Sequence, residues 1–148
     1  ESFTRLFSQV LLKSFALVME YGIERVTLMI DLCVARLRSP VDVDELDSIL
    51  EFFKVIFVQK SIECEENWRT YLLQLKHKDI LDSLLQASHS LNRDLNNKVA
   101  AFLCHVNQES PVFIRDWVQT SSLRERLAWM PRCMKMSDFI TQYHQLFK

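Results

Sequence analysis

The chain has 148 residues, of which 49% are apolar and 25% charged, and its formal net charge is −1. These values fit one helical domain over residues 1–148, and they exclude disorder, a collagen-like repeat and an overall electrostatic attraction to nucleic acid or anionic membranes. With one glycine and three prolines, the chain has few residues for hairpins that need positive φ, so we predict an all-α protein.

The first two predicted helices lie on either side of the single glycine. Residues 2–21 follow a helical apolar pattern, and Gly22 is expected to end that helix, so that a second helix over 23–37 forms a hairpin with it. Apolar residues almost surround the first helix, which predicts that neighbours cover both of its sides. The chain also begins with Glu1 and enters a helix at once, as expected of the C-terminal part of a longer protein.

A third helix is predicted to start at an Asp42 cap and to run to about Ser61. Glu45, three residues after Asp42, completes a capping-box pattern. The aromatic and β-branched segment 52–58 has the composition of a strand. The apolar residues before it continue a single helical face, however, so we favour the helix.

Six further helices are predicted, at 68–75, 78–88, 92–106, 111–117, 123–129 and 137–147, which gives about eight or nine in all. Ser110 followed by Pro111 is a strong start signal, a capping hydroxyl before proline at the first helical position. Ser122 with Glu125 forms another capping-box pattern, and Pro131 is expected to end that helix.

The major helices recur at about twenty residues, or about forty for a pair, which is the period of helical-pair solenoids. Residues 80–106 contain the helix IleLeuAspSerLeuLeuGln, a polar turn through Ser90 and Asn92, and the helix AsnAsnLysValAlaAlaPheLeuCysHisVal. This unit resembles an armadillo or HEAT repeat, in which a leucine-rich helix is followed by one with small residues where helices cross closely. The resemblance covers about a fifth of the chain. It implies an armadillo/HEAT-like stack, irregular because Pro131 and the short helices after Pro111 depart from a uniform array.

The cysteines indicate a reducing compartment. Cys33, Cys64, Cys104 and Cys133 stand about thirty to forty residues apart without a CxxC pair, so we expect reduced thiols in an intracellular protein, cytoplasmic or nuclear. The strongest apolar run, residues 10–19, is interrupted by a lysine and is shorter than the ~18 residues of a membrane span. No membrane contact is therefore expected.

Catalysis, metal binding and cofactor binding are not expected either. The histidines lack the i, i+4 spacing of a helical zinc site, and the adjacent Cys104 and His105 project about 100° apart on a helix. The glutamates around Cys64 disfavour its thiolate by charge repulsion. A single glycine cannot supply a phosphate-binding loop. The acidic run over residues 42–51 lacks calcium-loop spacing and is expected to serve the helix dipole.

The segment around Pro131 is the most distinctive part of the sequence, because it combines cationic, aromatic and thioether side chains. The candidate partner-binding residues are Arg124, Arg126, Trp129, Met130, Arg132, Met134 and Lys135. Tryptophan and arginine are frequent at interface hot spots, and methionine adapts to varied surfaces. The alternative is that Trp129 and the methionines pack the last helix onto the domain while the arginines are solvated.

The leading functional hypothesis is a non-catalytic scaffold that binds a helix or peptide segment of another protein within a larger complex. Nucleic-acid contact through residues 75–148, which carry 10 Lys/Arg and 7 Asp/Glu, is an alternative. An accessory helical domain of a larger enzyme is another. The apolar first helix also predicts self-association or contact with a preceding repeat.

Overall fold

The computed structural model describes the backbone of residues 15–57 and 66–147, and the side chains of 24–54, 56–57 and 72–147. Every regular element in these ranges is helical, which confirms the all-α prediction. The seven α-helices are α1 (Phe15–Leu37), α2 (Val43–Phe57), α3 (Glu66–Ser88), α4 (Arg93–Glu109), α5 (Pro111–Thr120), α6 (Arg124–Leu127) and α7 (Met136–Gln145), and a 3-10 helix (Met130–Arg132) precedes α7. Among the described helices, none combines the length and the apolar character needed to cross a bilayer.

Two predicted breaks between helices do not occur. α1 continues through Gly22, so the prediction that this glycine ends a helix and starts a hairpin is wrong. α3 likewise continues through residues 76–77, where two separate helices were predicted. One glycine inside a helix costs only about 1 kcal/mol relative to alanine, and the tertiary packing of a long helix can offset that. The predicted helical residues 2–14 lie outside the described residues.

Two helices begin at side-chain caps. The Asp42 carboxylate accepts a hydrogen bond from the Glu45 backbone amide at 2.8 Å, which confirms the predicted cap of α2. Asn92 caps α4 by accepting from the Leu95 amide at 2.9 Å. Segment 52–57 belongs to α2, so the helical interpretation of this aromatic run is confirmed.

Two other predicted caps do not form. Pro111 occupies the first turn of α5 as expected, but the Ser110 hydroxyl donates to the Phe57 carbonyl at 2.9 Å and leaves α5 without a side-chain cap. Carbonyls in the last turn of a helix have no partner within it, so this one at the end of α2 attracts the hydroxyl. Before α6, Ser121 rather than the predicted Ser122 accepts from the Leu123 amide, at 3.1 Å.

Helices α1 and α3 lie side by side and point in the same direction. The carboxylate of Asp31 in α1 pairs with the Lys76 ammonium of α3 at 2.9 Å. Further along, a groove between the two helices is lined by Val34 and Arg38 on one side and by Asp82 and Gln86 on the other. Residues toward the C-terminal end of α1 thus lie beside residues toward the C-terminal end of α3, so the two helices are parallel. The helix that packs against α1 is the second one after it in the chain.

Helices α2 and α4 form a second parallel pair. Asp47 pairs with Lys98 at 3.1 Å, and the Phe53 and Phe57 rings lie 6.4 and 6.1 Å from the ring of Phe102. The packing places α1, α3 and α5 in one layer and α2, α4 and α7 in the other. The apolar core lies between the two layers.

Helix α7 closes the second layer and runs antiparallel to α4. The ring of Tyr143 in α7 is fully buried, and its hydroxyl oxygen lies 2.5 Å from Ser88 Oγ at the end of α3. Because Ser88 Oγ donates its own hydrogen to the Leu84 carbonyl at 2.9 Å, the tyrosine hydroxyl must be the donor between the two. Burial raises the pKa of Tyr143 above its ordinary value.

Replacing the glycine inside α1 tests the continuous helix. We expect Gly22→Ala to raise the free energy of unfolding by about 0.5–1 kcal/mol, because alanine loses less backbone entropy in a helix. Urea denaturation of the purified chain measures the change. Ala35→Gly, an exposed position of the same helix, is the matched control and should lower the stability by a similar amount. A loss of stability in Gly22→Ala would indicate a turn with positive φ at this residue and would contradict the continuous helix.

Tyr143→Phe should cost about 1 kcal/mol at neutral pH, since one buried hydrogen bond is lost. The folded state favours the neutral phenol, so this tyrosine stabilises the fold below its unfolded pKa of about 10 and loses that effect as the pH rises further. The difference in unfolding free energy between wild type and Tyr143→Phe should therefore shrink above pH ~10. Urea titrations of both proteins from pH 7 to 11 measure this difference. Lysine ionisation affects wild type and variant equally and therefore does not contribute to it. A difference that stays constant would contradict the burial of the hydroxyl.

Candidate partner-binding site

Residues 124–135, here called the strap, run antiparallel along α7. At the C-terminal end of α7, the Arg126 guanidinium donates to the Leu146 carbonyl. At its N-terminal end, the Met134 carbonyl accepts from the Gln108 side-chain amide at 2.6 Å. α7 has 10 residues. At ~1.5 Å of rise per residue, the strap thus spreads its side chains over about 15 Å.

Two of the predicted partner-binding residues face inward. Met130 is fully buried in the core. Trp129 is half-buried, and its ring centroid lies 4.9 Å from that of Phe139 in an edge-to-face arrangement. These two side chains hold the strap on the domain, so Met130 does not belong to its exposed surface.

The other predicted residues remain on the outside of the strap: Arg124, Arg126, Arg132, Met134 and Lys135. Their exposed face carries four cations, with Glu125 and Asp138 as the neighbouring acids. Beside it lies an open depression of about 620 Å³ lined by residues 119–126. The structure therefore distributes the candidate residues along an extended cationic surface and does not gather them into one pocket.

A buried asparagine that the sequence analysis did not single out fixes the strap. The Asn107 amide nitrogen donates to the Met130 carbonyl at 3.1 Å and to the Cys133 carbonyl at 3.0 Å. Its side chain is completely buried at the end of α4. The sequence feature that could have identified it is an asparagine directly after Val106 on the apolar face of an amphipathic helix. A buried amide needs partners, and here the strap backbone supplies two acceptors for the nitrogen, while the Oδ1 atom has no hydrogen-bond partner among the described residues.

The described thiols near the strap are poor nucleophiles. Burial raises the pKa of Cys104, and the nearby Cys133 adds to the increase. The pKa of Cys133 is raised as well, by burial and then by the charge of Asp138. Because the thiolate is the reactive form, both environments suppress reactivity. Cys64, the other cysteine considered for catalysis, lies outside the described residues.

Two of the described histidines, His77 and His144, make structural hydrogen bonds. His77 is buried and lies 2.6 Å from the Leu73 carbonyl and 2.9 Å from the Asp116 carboxylate, so it links α3 to α5. The Nε2 atom of His144 bonds to Asn97, and burial, followed by the charge of Arg93, lowers the pKa of His144. In the part of the chain that the structure describes, no three His, Cys, Asp or Glu residues are grouped as metal ligands would be.

The acidic residues at the start of α2 also have structural partners. Besides the Asp42 cap, the carboxylate of Glu45 pairs with the Arg36 guanidinium at 2.6 Å, and that of Asp47 pairs with Lys98. Trp117 is buried and donates from its indole nitrogen to Asp82 at 2.7 Å. The strap stays the surface predicted for a partner.

No protein-family model matches the chain, and comparisons with curated proteins and with solved structures found no similar one.

Asn107→Asp should release the strap. The substitution keeps the size of the side chain but replaces two donated hydrogen bonds by a carboxylate facing two carbonyls, so we expect a loss of about 2–3 kcal/mol in unfolding free energy. Gln74→Glu is the matched control and should cost less than about 1 kcal/mol, because Gln74 is exposed on α3 and lies outside the strap.

Urea denaturation measures both variants, and hydrogen exchange at residues 130–135 reports on the strap directly. Part of the Asn107→Asp loss should be recovered in acid, where the introduced carboxyl is protonated and can donate. Equal stabilities of the two variants would show that the buried amide does not hold the strap.

Proposed function

We propose that the chain is part of an irregular armadillo- or HEAT-like helical-repeat protein and acts as a non-catalytic scaffold. The parallel packing of helices two positions apart supports this proposal, because a solenoid places equivalent helices of successive pairs side by side. The polar contacts that join such helices connect residues 35 to 51 positions apart. These separations bracket the period of about forty residues expected for helical pairs.

The strap is the surface that we propose for the partner. Its exposed cations extend over about 15 Å, the length of α7, which suits a helix or an extended segment better than a small molecule. Asn107, Trp129 and Met130 hold the strap backbone in place. Because the strap is already ordered, binding a partner costs little of its conformational entropy. Charge complementarity favours a partner segment rich in aspartate and glutamate.

Two observations support a non-catalytic role. The described thiols beside the strap have raised pKa values, which opposes their use as nucleophiles. Two of the described histidines, His77 and His144, are engaged with backbone, carboxylate or amide groups within the fold. These side chains serve helix packing.

Charge reversal on the strap tests the proposed partner surface. In a quantitative pull-down from cells that express the protein, Arg124→Glu with Arg132→Glu should reduce recovery of a strap-dependent partner about tenfold, because two attractive charges become repulsive. Arg126 is left unchanged because it bonds to the Leu146 carbonyl. The matched control is Lys54→Glu with Arg115→Glu, which makes the same charge change at exposed positions of α2 and α5.

The outcome also separates protein from nucleic acid as the partner. Equal recovery of all proteins by both double variants would remove the strap as the binding surface. A strap-dependent shift of DNA or RNA probes at low salt, weakening steeply as salt increases, would instead favour the nucleic-acid alternative.

A further inference from the structure

A second surface lies in the other layer, between the parallel helices α1 and α3. The residues that line its groove of about 390 Å³ include Asp31 and Val34 of α1, Arg38 just after α1, and Asp79, Asp82 and Gln86 of α3. We call it the α1/α3 groove. The strap residues do not line it, because they lie along α7 in the layer of α2 and α4.

The α1/α3 groove is predominantly acidic, with three carboxylates against the single guanidinium of Arg38. The indole nitrogen of Trp117 holds the Asp82 carboxylate in place at 2.7 Å, which leaves other lone pairs on that group available. Asp31 is joined to Lys76 at 2.9 Å. Asp79 is exposed and has no ion pair with a described residue. With Asp31 paired to Lys76 and Arg38 in the lining, the negative charge open to a cationic ligand is that of Asp79 and Asp82, both on α3.

Three exposed leucines adjoin the N-terminal end of this groove. Leu28 and Leu32, one turn apart on α1, are 58% and 55% exposed, and Leu75 on α3 is 57% exposed. The Asp31–Lys76 pair places Leu75 of α3 beside the turn of α1 that contains Leu28 and Leu32. A single exposed leucine is ordinary, but three on adjoining turns beside a groove form an apolar patch of the kind used in binding.

We infer that the α1/α3 groove and its leucines bind a basic amphipathic helix of a partner protein. From Leu28 to Arg38 the surface extends over about 15 Å, or roughly three helical turns. An amphipathic helix presents successive turns on one face, so its apolar side chains meet the leucines and its lysines or arginines reach the carboxylates one to two turns further on. An extended segment would direct alternate side chains away from the groove.

The sign of the charge makes this ligand different from the acidic segment proposed for the strap. The inference does not depend on the strap, since the two surfaces lie in different layers. One chain would thus hold two partner segments of opposite charge.

Binding of a defined peptide tests the inference. The probe is a fluorescent synthetic peptide of about 18 residues, long enough to become helical on binding, with leucines on its first turns and lysines and arginines on the same face of its last turns. Fluorescence anisotropy against the whole chain gives the Kd. One comparison peptide has the same composition in scrambled order, and another has glutamate in place of each lysine and arginine.

Two groove variants are compared with matched substitutions elsewhere. Asp79→Lys and the double variant Leu28→Ser with Leu32→Ser should each weaken binding of the basic amphipathic peptide about tenfold, because they remove the charge match and the apolar contact respectively. Glu51→Lys and Val43→Ser, at exposed positions of α2, are the controls and should change Kd less than about twofold. Circular dichroism checks that every variant is folded.

Several results would overturn the inference. These are no binding of the basic amphipathic peptide at low salt, equal binding of the scrambled or glutamate peptide, or an equal effect of Glu51→Lys and Asp79→Lys. Light scattering is the final check. A wild-type dimer that the double leucine variant converts to a monomer would assign the surface to a second copy of the chain instead.

Discussion

Burial of helix α4 on several sides is the constraint on which the remaining structure depends. α2, α3, α5, α7 and the 3-10 helix all pack against it. Buried polar groups on such a helix need partners within the protein, and the side-chain nitrogens of two asparagines find them in the adjoining chain segments. The Asn96 amide donates to the Ser88 and Leu91 carbonyls, which fixes the turn from α3, while Asn107 fixes the strap. Packing and hydrogen bonding at one helix thereby determine the path of the chain on both sides of it.

This arrangement separates the inner and outer faces of the strap. Trp129 and Met130 pack inward because burial of large apolar side chains is favourable by a few kcal/mol. The arginines lie before and after these two residues in the chain and are exposed, because a charged group is costly to bury. A cationic surface therefore extends along the outside of the strap. The other layer carries a groove of opposite charge, so the two candidate surfaces of the domain differ both in place and in sign.

Sequence reasoning located the helices better than it located their ends. The apolar periodicity of segment 52–57 and the Asp42 cap depend on local spacing, and both were predicted correctly. Gly22 and residues 76–77 were interpreted as breaks, because local propensity favours a break there and the packing of α1 against α3 is not visible in the sequence. The Ser110 hydroxyl was likewise assigned to its own helix, although a carbonyl 53 residues earlier accepts its hydrogen bond.

The amino-acid sequence by itself determined the helical class and the composition of the cationic segment, because helix formation and charge are local properties of residues. Only the tertiary structure decided which residues of that segment are exposed, which helices run parallel, and where the carboxylates of α1 and α3 meet. Those features depend on contacts between residues tens of positions apart, such as Asp31 with Lys76 and Asn107 with Cys133. Such contacts form only when burial of the shared core brings the helices together, and no local pattern encodes them.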